Sequence, residues 1–448
     1  MAGYLATMIT TVRRAVAVVP ALLAAVAASA SAQQLSPAER RIRAAVAANF
    51  EASISLLQKA VDIPSGTFNP AGVKAVGQLF RQEFDALGFT TRWVDLPPAM
   101  NRGGHLVAEW QGSKADPAGK RLLLIGHLDT VFEGAGQKFV RQDTVARGAG
   151  TADMKGGDVA ILLALKALKA AGVLDELRVI VVMTGDEESA GRPLEVARKA
   201  LVDAAKRSDV ALAFEGGDAR TATIARRGAS GWILTVKGRQ AHSSAVFQRG
   251  VGYGAIYEAA RILNAFRERL SRQPYLTFSP GTIVGGTDVV YDSAAVSGQV
   301  SGKTNIIPRQ VVVQGDLRSL TRSQLDSARA IMRQIVADNL PGTSASISFE
   351  DGYPGMPPTD GGREILRVFD QVSQDLGYPA IEALPPERRG AGDISFVAEL
   401  VAGLDGIGVD GFGSHSPEEG VYLPSIKMAA ERAAVLMLRL SRPGRPAS

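Results

Sequence analysis

The sequence predicts an α/β fold: a mostly parallel central sheet flanked by helices, with an inserted α+β unit of ferredoxin-like plan. Three observations predict it. The chain has 448 residues, more than one hydrophobic core usually serves, so two units are expected. Between residues 121 and 217, short continuous apolar runs alternate with helical stretches, the pattern of parallel strands covered on both faces. From about residue 225 the pattern changes to period-two alternation, and a β-α-β-β-α-β order follows.

Each element has its own signal. Helical periodicity covers residues 37–62 and 73–87. The segment after residue 87 alternates like an edge strand, and residues 105–110 read as another. "RLLLIGHLDT" is a buried strand running into polar residues. "GGDVAILLALKALKAAG" is an amphipathic helix that starts near Gly157 and stops at Gly172. "LRVIVVMTGDEES" is a second buried strand, "PLEVARKALVDAA" a helix and "DVALAFEGG" a third strand. In the insertion, "GASGWILTVKGRQAHSS" alternates, so one face is solvated. A helix over 252–270, the strand-like pieces "GTIVGG", "AAVSGQVSG" and "RQVVVQGDLRS", a helix over 322–339 and the strand "SASISFE" complete it. Helices over 362–376 and 425–440 enclose a polar, Gly-rich stretch. The expected division is 33–225 and 353–448 for the main unit and 226–352 for the insertion.

Composition narrows the function classes. The charge of +5 is modest, and Lys and Arg are scattered. No basic stripe with interleaved aromatics points to nucleic acid, so no nucleic-acid partner is expected. Residues 1–32 read as a signal peptide. Arg13 and Arg14 supply the positive end, Ala and Val dominate the apolar run, and Ala30-Ser31-Ala32 is the cleavage site. That run is short of the ~20 residues a spanning helix needs, so no membrane anchor is expected after cleavage behind Ala32. There is no cysteine, which excludes disulfides and thiolate metal ligands. Any metal must be held by His, Asp and Glu. Export without cysteine suits a bacterial periplasm or secretion.

The candidate chemistry gathers at strand ends. In open parallel sheets, ligands bind beyond the carboxyl ends of the strands. There the sequence places His127 and Asp129, then Glu187 and Glu188, then Glu215. Asp153 lies in the turn before a helix, and His415 in the Gly-rich turn "GVDGFGSHSPEEG". Taken singly, these are surface histidines, helix caps and solvated acids. Taken together, they converge on one edge. Two histidines and three carboxylates give two ions three protein ligands each if one carboxylate bridges, and one further carboxylate stays free as a base.

The motifs "GHLDTVF", "RGAGTADMKGG", "TGDEESAG", "AFEGG" and "GSHSPEEGVYL", in this order, resemble the dizinc peptidases that include glutamate carboxypeptidase, aminoacylase and succinyl-diaminopimelate desuccinylase. The resemblance covers nearly the whole chain beyond the signal segment. It implies that His127, Glu215 and a bridging Asp153 bind one zinc, and that His415, Glu188 and Asp153 bind the other. It implies that Asp129 orients His127 and that Glu187 is the general base toward a hydroxide held by two zincs. "GRQAHSS" and "KTNIIP" resemble the family's dimerisation or lid domain. The insertion would then pair two chains as a homodimer. His242 would cross the interface to stabilise the developing oxyanion, and Asn305 and Arg318 would contact substrate. His and carboxylate ligands accept Zn²⁺, Co²⁺ and Mn²⁺ alike.

Glu215 stands where the resembled family carries Glu for removal of C-terminal residues or acyl groups, so a glutamate-type carboxypeptidase is expected. An N-acyl-amino-acid amidohydrolase or a dipeptidase is the alternative, and small peptides or N-acyl amino acids are the expected substrates. A binding protein that kept the fold and lost the chemistry has no reason to keep Glu187 beside five ligands. Several polar residues are read as structural: His105 in its strand, Lys155 at a helix start and Arg318 if it pairs with Asp316. Arg226 and Arg227 are read as solvated flanks of a hinge near Gly228 and Gly231. Asp186 has no assigned role.

Overall fold

The computed structural model describes residues 35–442, so the signal segment expected at 1–32 lies outside the described residues. Helix α1 (Pro37–Val61) opens on a capping box: Ser36 N–H donates to Glu39 Oε2 at 2.7 Å, and Glu39 N–H donates to Ser36 Oγ at 3.3 Å. Pro37 occupies the first turn, where its missing N–H costs nothing. Helix α2 (Pro70–Leu87) is capped by Asn69 and ends at Gly88, whose φ of 90° lies in the left-handed region.

Strands β1 (Thr90–Val94), β2 (His105–Gln111) and β3 (Arg121–His127) come next, then helix α3 (Lys155–Ala170) and strand β4 (Arg178–Thr184). The helix expected from "PLEVARKALVDAA" forms as two pieces, α4 (Leu194–Ala197) and α5 (Lys199–Ala205). The break falls at Arg198, whose guanidinium turns into the interior. Strand β5 (Val210–Ala213) follows.

The insertion contributes β6 (Ser230–Gly238), α6 (Ala255–Leu270), β7 (Thr277–Gly286), β8 (Asp288–Asp292), β9 (Ser297–Ser301), β10 (Gln310–Arg318), α7 (Arg322–Ala337) and β11 (Thr343–Glu350). Helix α8 (Asp360–Asp375), strand β12 (Ala402–Leu404) and helix α9 (Leu423–Leu440) return to the main unit.

The main sheet runs β1-β2-β4-β3-β5-β12. The β4–β3, β3–β5 and β5–β12 pairs are parallel, and β1–β2 and β2–β4 are antiparallel. Alternation explains the continuous apolar runs. Leu122, Leu124, Val179 and Val181 pack on the face covered by α1, α3 and α9. Leu123, Ile125, Ile180 and Val182 pack on the other face, against Leu201, Ala204, Met356 and Ile394. A strand buried on both faces has no polar side to show.

The inserted sheet runs β7-β10-β6-β11 and is antiparallel throughout. Of the three strand-like pieces between its helices, only the first and last enter this sheet. The middle one becomes β9, which pairs with β8 in a separate two-stranded ribbon. All five residues of β9 are exposed, so it has no apolar face to bury. The core of this unit centres on Trp232, which meets Phe266 edge-on at 6.0 Å and donates from Nε1 to Asp316 O at 3.1 Å. Trp232→Ala is expected to cost ~3–5 kcal/mol through the cavity it leaves. Hydrogen exchange should quicken across β6, β10 and α6 and stay at the parent rate in β3 and β4.

The two crossings between the units run side by side. Arg226 and Met356 exchange both backbone hydrogen bonds at 2.9 Å, and Ala229 N–H donates to Tyr353 O at 2.9 Å. Gly228 allows this approach: a Cβ there would lie 2.6 Å from Tyr353 O. Among the described residues, no helix is long and apolar enough to cross a membrane.

Candidate active site

The carboxyl ends of three neighbouring parallel strands supply the polar cluster. His127 is the last residue of β3, and Asp129 follows two positions on. Thr184 ends β4 and leads into Asp186, Glu187 and Glu188. Glu215 follows β5. Asp153 sits just before α3, and His415 comes in from its Gly-rich turn with a φ of 63°.

Two groups form, and Asp153 belongs to both. His127, Asp153 and Glu215 make one, and Asp153, Glu188 and His415 make the other, with the donor atoms of each within 4.8 Å of one another. His127 Nε2 is 3.2 Å from Asp153 Oδ1 and 3.7 Å from Glu215 Oε1. His415 Nε2 is 3.1 Å from Asp153 Oδ2 and 3.3 Å from Glu188 Oε2. Bonds of ~2.0–2.1 Å from one tetrahedral ion hold neighbouring donors ~3.3 Å apart, so these spacings fit such an ion in each group. Glu188 Oε1 is buried with no hydrogen-bond partner. A buried carboxylate whose Oε2 faces the His415 imidazole and whose Oε1 lacks any partner suits a cation.

The electrostatics agree. Burial pushes Glu215 up to about 7, and Asp153 adds to the rise. Burial also pushes Glu187 well up, with Glu215, Asp393 and Glu188 adding to it against His127. Hydrogen bonds to Asp153 and Glu188 push His415 up to about 10. Burial opposes charge on His127, but Asp129 and Asp153 outweigh it and raise the imidazole. The neighbouring carboxylates favour the charged form of both imidazoles. Divalent ions would supply that positive charge instead and keep the carboxylates ionised.

Several supports are visible only in three dimensions. The Asp129 carboxylate accepts from Thr67 Oγ1 at 2.6 Å, Glu187 N–H at 3.0 Å and Glu188 N–H at 3.1 Å. It therefore holds the Glu187–Glu188 backbone as well as facing His127. His127 Nδ1 lies 3.0 Å from the Asp129 backbone oxygen and 3.5 Å from its carboxylate, so the carbonyl is the nearer partner for the second ring N–H. Glu419 Oε1 accepts from Ala152 N–H at 2.9 Å and Asp153 N–H at 3.0 Å, fixing the turn that presents Asp153. Glu419 is not among the residues expected from the sequence; its place four residues after His415 is the one local signal.

Asp186 has a partner far along the chain. Arg198 Nη1 donates to Asp186 Oδ1 at 2.6 Å, and Arg198 Nε donates to Asp393 Oδ1 at 2.8 Å. Thr184 Oγ1 donates to the other Asp393 oxygen, and Gly191 N–H to Asp186 Oδ2 at 2.8 Å. His105 lies on the same network: its Nε2 is 2.7 Å from Ala197 O, and its Nδ1 accepts from Gly185 N–H at 3.2 Å. Both of its ring nitrogens are taken up by backbone groups.

Arg226 corrects the expectation of a solvated flank. It is buried, with Nε on Asp405 and Nη1 donating to Gly390 O at 2.9 Å and Ala391 O at 2.7 Å. The reason is the paired crossing, which folds this segment beneath the loop around Gly390. Lys155 is buried too, but it does not pair locally. It donates to Ala60 O at 3.0 Å and Ile63 O at 3.1 Å, and burial pulls its amine down to about 8.

His242, Asn305 and Arg318 are not joined to the cluster by any hydrogen bond or ion pair among the described residues. His242 is exposed, with Nδ1 at 2.8 Å from Ser244 Oγ, and Asn305 O accepts from Ser243 N–H at 2.9 Å. Arg318 Nε pairs with Asp316 Oδ2 at 2.8 Å. The structural pairing of Arg318 foreseen as the plain reading is therefore present.

A sheet whose strand ends bring two ligand groups to one shared carboxylate, with a further Glu beside them, has the layout of a metal-dependent hydrolase. Residues 123–439 match Peptidase family M20/M25/M40, and the chain belongs to this family of metallopeptidases and amidohydrolases. Among characterised relatives, Carboxypeptidase G2 of Pseudomonas sp. (strain RS-16) is 29% identical over 401 residues, 87% of this chain and 89% of that protein. Succinyl-diaminopimelate desuccinylase 1 of Alteromonas mediterranea is 25% identical over 77% of this chain and 86% of its own length. The crystal structure of aminopeptidase PepT from Bacillus cereus superposes with a TM-score of 0.72 at 20% identity, covering 88% of this chain and 99% of its own. That likeness supports the fold.

Proposed function

We propose that this protein is an exported carboxypeptidase that hydrolyses the amide bond to a C-terminal, glutamate-type amino acid, with two zinc ions held by His127, Asp153, Glu215, Glu188 and His415. The observation that carries the reading is Asp153 shared by two three-ligand groups while Glu187, adjacent to one ligand, remains free. Two divalent ions bound there would polarise the scissile carbonyl and acidify the attacking water. Glu187 would take the proton from that water as its oxygen bonds to the carbonyl carbon, then deliver the proton to the amide nitrogen as the C–N bond breaks. Asp129 would hold the His127 ring in one orientation and the Glu187 backbone in place. Likeness to Carboxypeptidase G2 supports release of a C-terminal residue, and the signal-like segment at 1–32 supports export.

The test is a panel of N-acyl-glutamates, N-acyl-alanines and dipeptides, assayed with zinc-loaded and chelated protein. Release of C-terminal glutamate, lost on chelation and restored by zinc, is the expected result. A flat profile across all acyl amino acids would overturn the carboxypeptidase reading in favour of an aminoacylase.

The inserted unit, residues 226–352, is proposed to pair two chains, with His242 reaching the partner's site and Asn305 and Arg318 contacting substrate there. His242 is exposed and unconnected to its own cluster, which suits a residue that serves across an interface. Inactive His242→Ala chains mixed with inactive Glu187→Ala chains are expected to regain partial activity. No recovery after verified subunit exchange would count against a shared site.

A further inference from the structure

We infer that Tyr353, held by Arg198, is a positioning residue for Glu187 and ties the base to the segment through which the chain returns from the inserted unit. The inference rests on the reading of Glu187 as the base.

The Glu187 carboxylate receives no hydrogen bond from the protein among the described residues, so its placement comes from its backbone. That backbone is pinned at both ends. Its N–H donates to Asp129 Oδ1 at 3.0 Å, and its carbonyl accepts from the Tyr353 hydroxyl. Asp129 stands beside His127, so one pin is set by the ligand cluster. The other comes from outside it, because Tyr353 lies three residues beyond the end of β11.

The Tyr353 hydroxyl has no freedom to serve elsewhere. Arg198 Nη2 donates to it at 2.9 Å, which leaves its single proton for the Glu187 carbonyl. The same Arg198 Nη2 donates to Asp186 O at 3.1 Å, one residue before the base. The ring packs on Phe396 at 4.9 Å, and the Tyr353 backbone is clamped by Ala229 of the outgoing crossing. Arg198, Asp186 and Asp393 are all buried, so the support is rigid. A general base must stay within hydrogen-bond reach of its proton, and a displacement of about 1 Å costs on the order of 10²-fold. A hydroxyl that fixes the carbonyl of the base therefore acts on the rate through Glu187.

The test is a double-mutant cycle on zinc-loaded, full-length protein: parent, Tyr353→Phe, Glu187→Gln and the double variant, assayed on the best-cleaved compound of the panel. Tyr353→Phe keeps the ring on Phe396 and removes only the hydroxyl. It is expected to lower kcat roughly tenfold or more, with KM and metal content at parent values. In the Glu187→Gln background the same change is expected to have no further effect, because the two residues act as a unit. Equal losses in both backgrounds, or none in the parent, would overturn the inference and leave Glu187 as the base. A Glu187→Gln enzyme at the parent rate, or no cleavage of any panel compound, would overturn the functional reading and this inference with it.

Discussion

Glu187→Gln is expected to lower kcat by about 10²–10⁴-fold, the range for loss of a positioned general base, while metal content and KM stay near parent values. The amide is almost isosteric with the carboxylate, so packing at the end of β4 is preserved. No ligand is removed, because the groups around Asp153 use Glu188 and Glu215 instead. The carboxylate makes no hydrogen bond to the protein among the described residues, so its loss unbalances no network. Metal analysis beside steady-state kinetics is the check. Full metal with parental turnover would show that another group moves the proton.

Arg198→Met is expected to give a large loss of stability in the main unit. The side chain is 1% exposed and lies between Asp186 and Asp393, themselves 0% and 3% exposed. Removing one partner of a buried charge network leaves the others uncompensated, at a cost of ~3–5 kcal/mol. Met fills most of the volume of the arginine stem, so the effect reads the charge and its hydrogen bonds rather than a cavity. Urea unfolding of chelated protein, followed by circular dichroism, separates this from metal linkage. A midpoint near the parent value would mean that water or protonation replaces the guanidinium.

His127, Glu187, Glu188 and Glu215 could be singled out in the sequence because strand-end placement is a local signal, whereas Asp153 and His415 lie in turns and stood out through the motifs around them. An apolar run that stops at His127, Thr184 or Ala213 points its next polar residues at one edge. The supports could not be read this way. Arg198 meets Asp393 across 195 residues, and Arg226 meets Asp405 across 179. In one dimension, each of these residues looks like surface. Only tertiary burial reveals that Arg226 belongs to the interior and that Asp186 has a partner. The α4–α5 break is legible only once Arg198 is seen turning inward. The β8–β9 ribbon shows the same limit for strands: alternation marks an extended segment, but a face must be buried before it joins a sheet.

The paired crossing has an evolutionary consequence. The chain leaves and re-enters the main unit through one ladder pair, Arg226 with Met356, so the ends of everything between them are already adjacent. A cassette with adjacent ends can be exchanged, shortened or replaced by a turn without re-threading the main sheet. Tyr353 lies inside that cassette. Any lineage that swaps it also inherits or loses the hydroxyl on the carbonyl of Glu187.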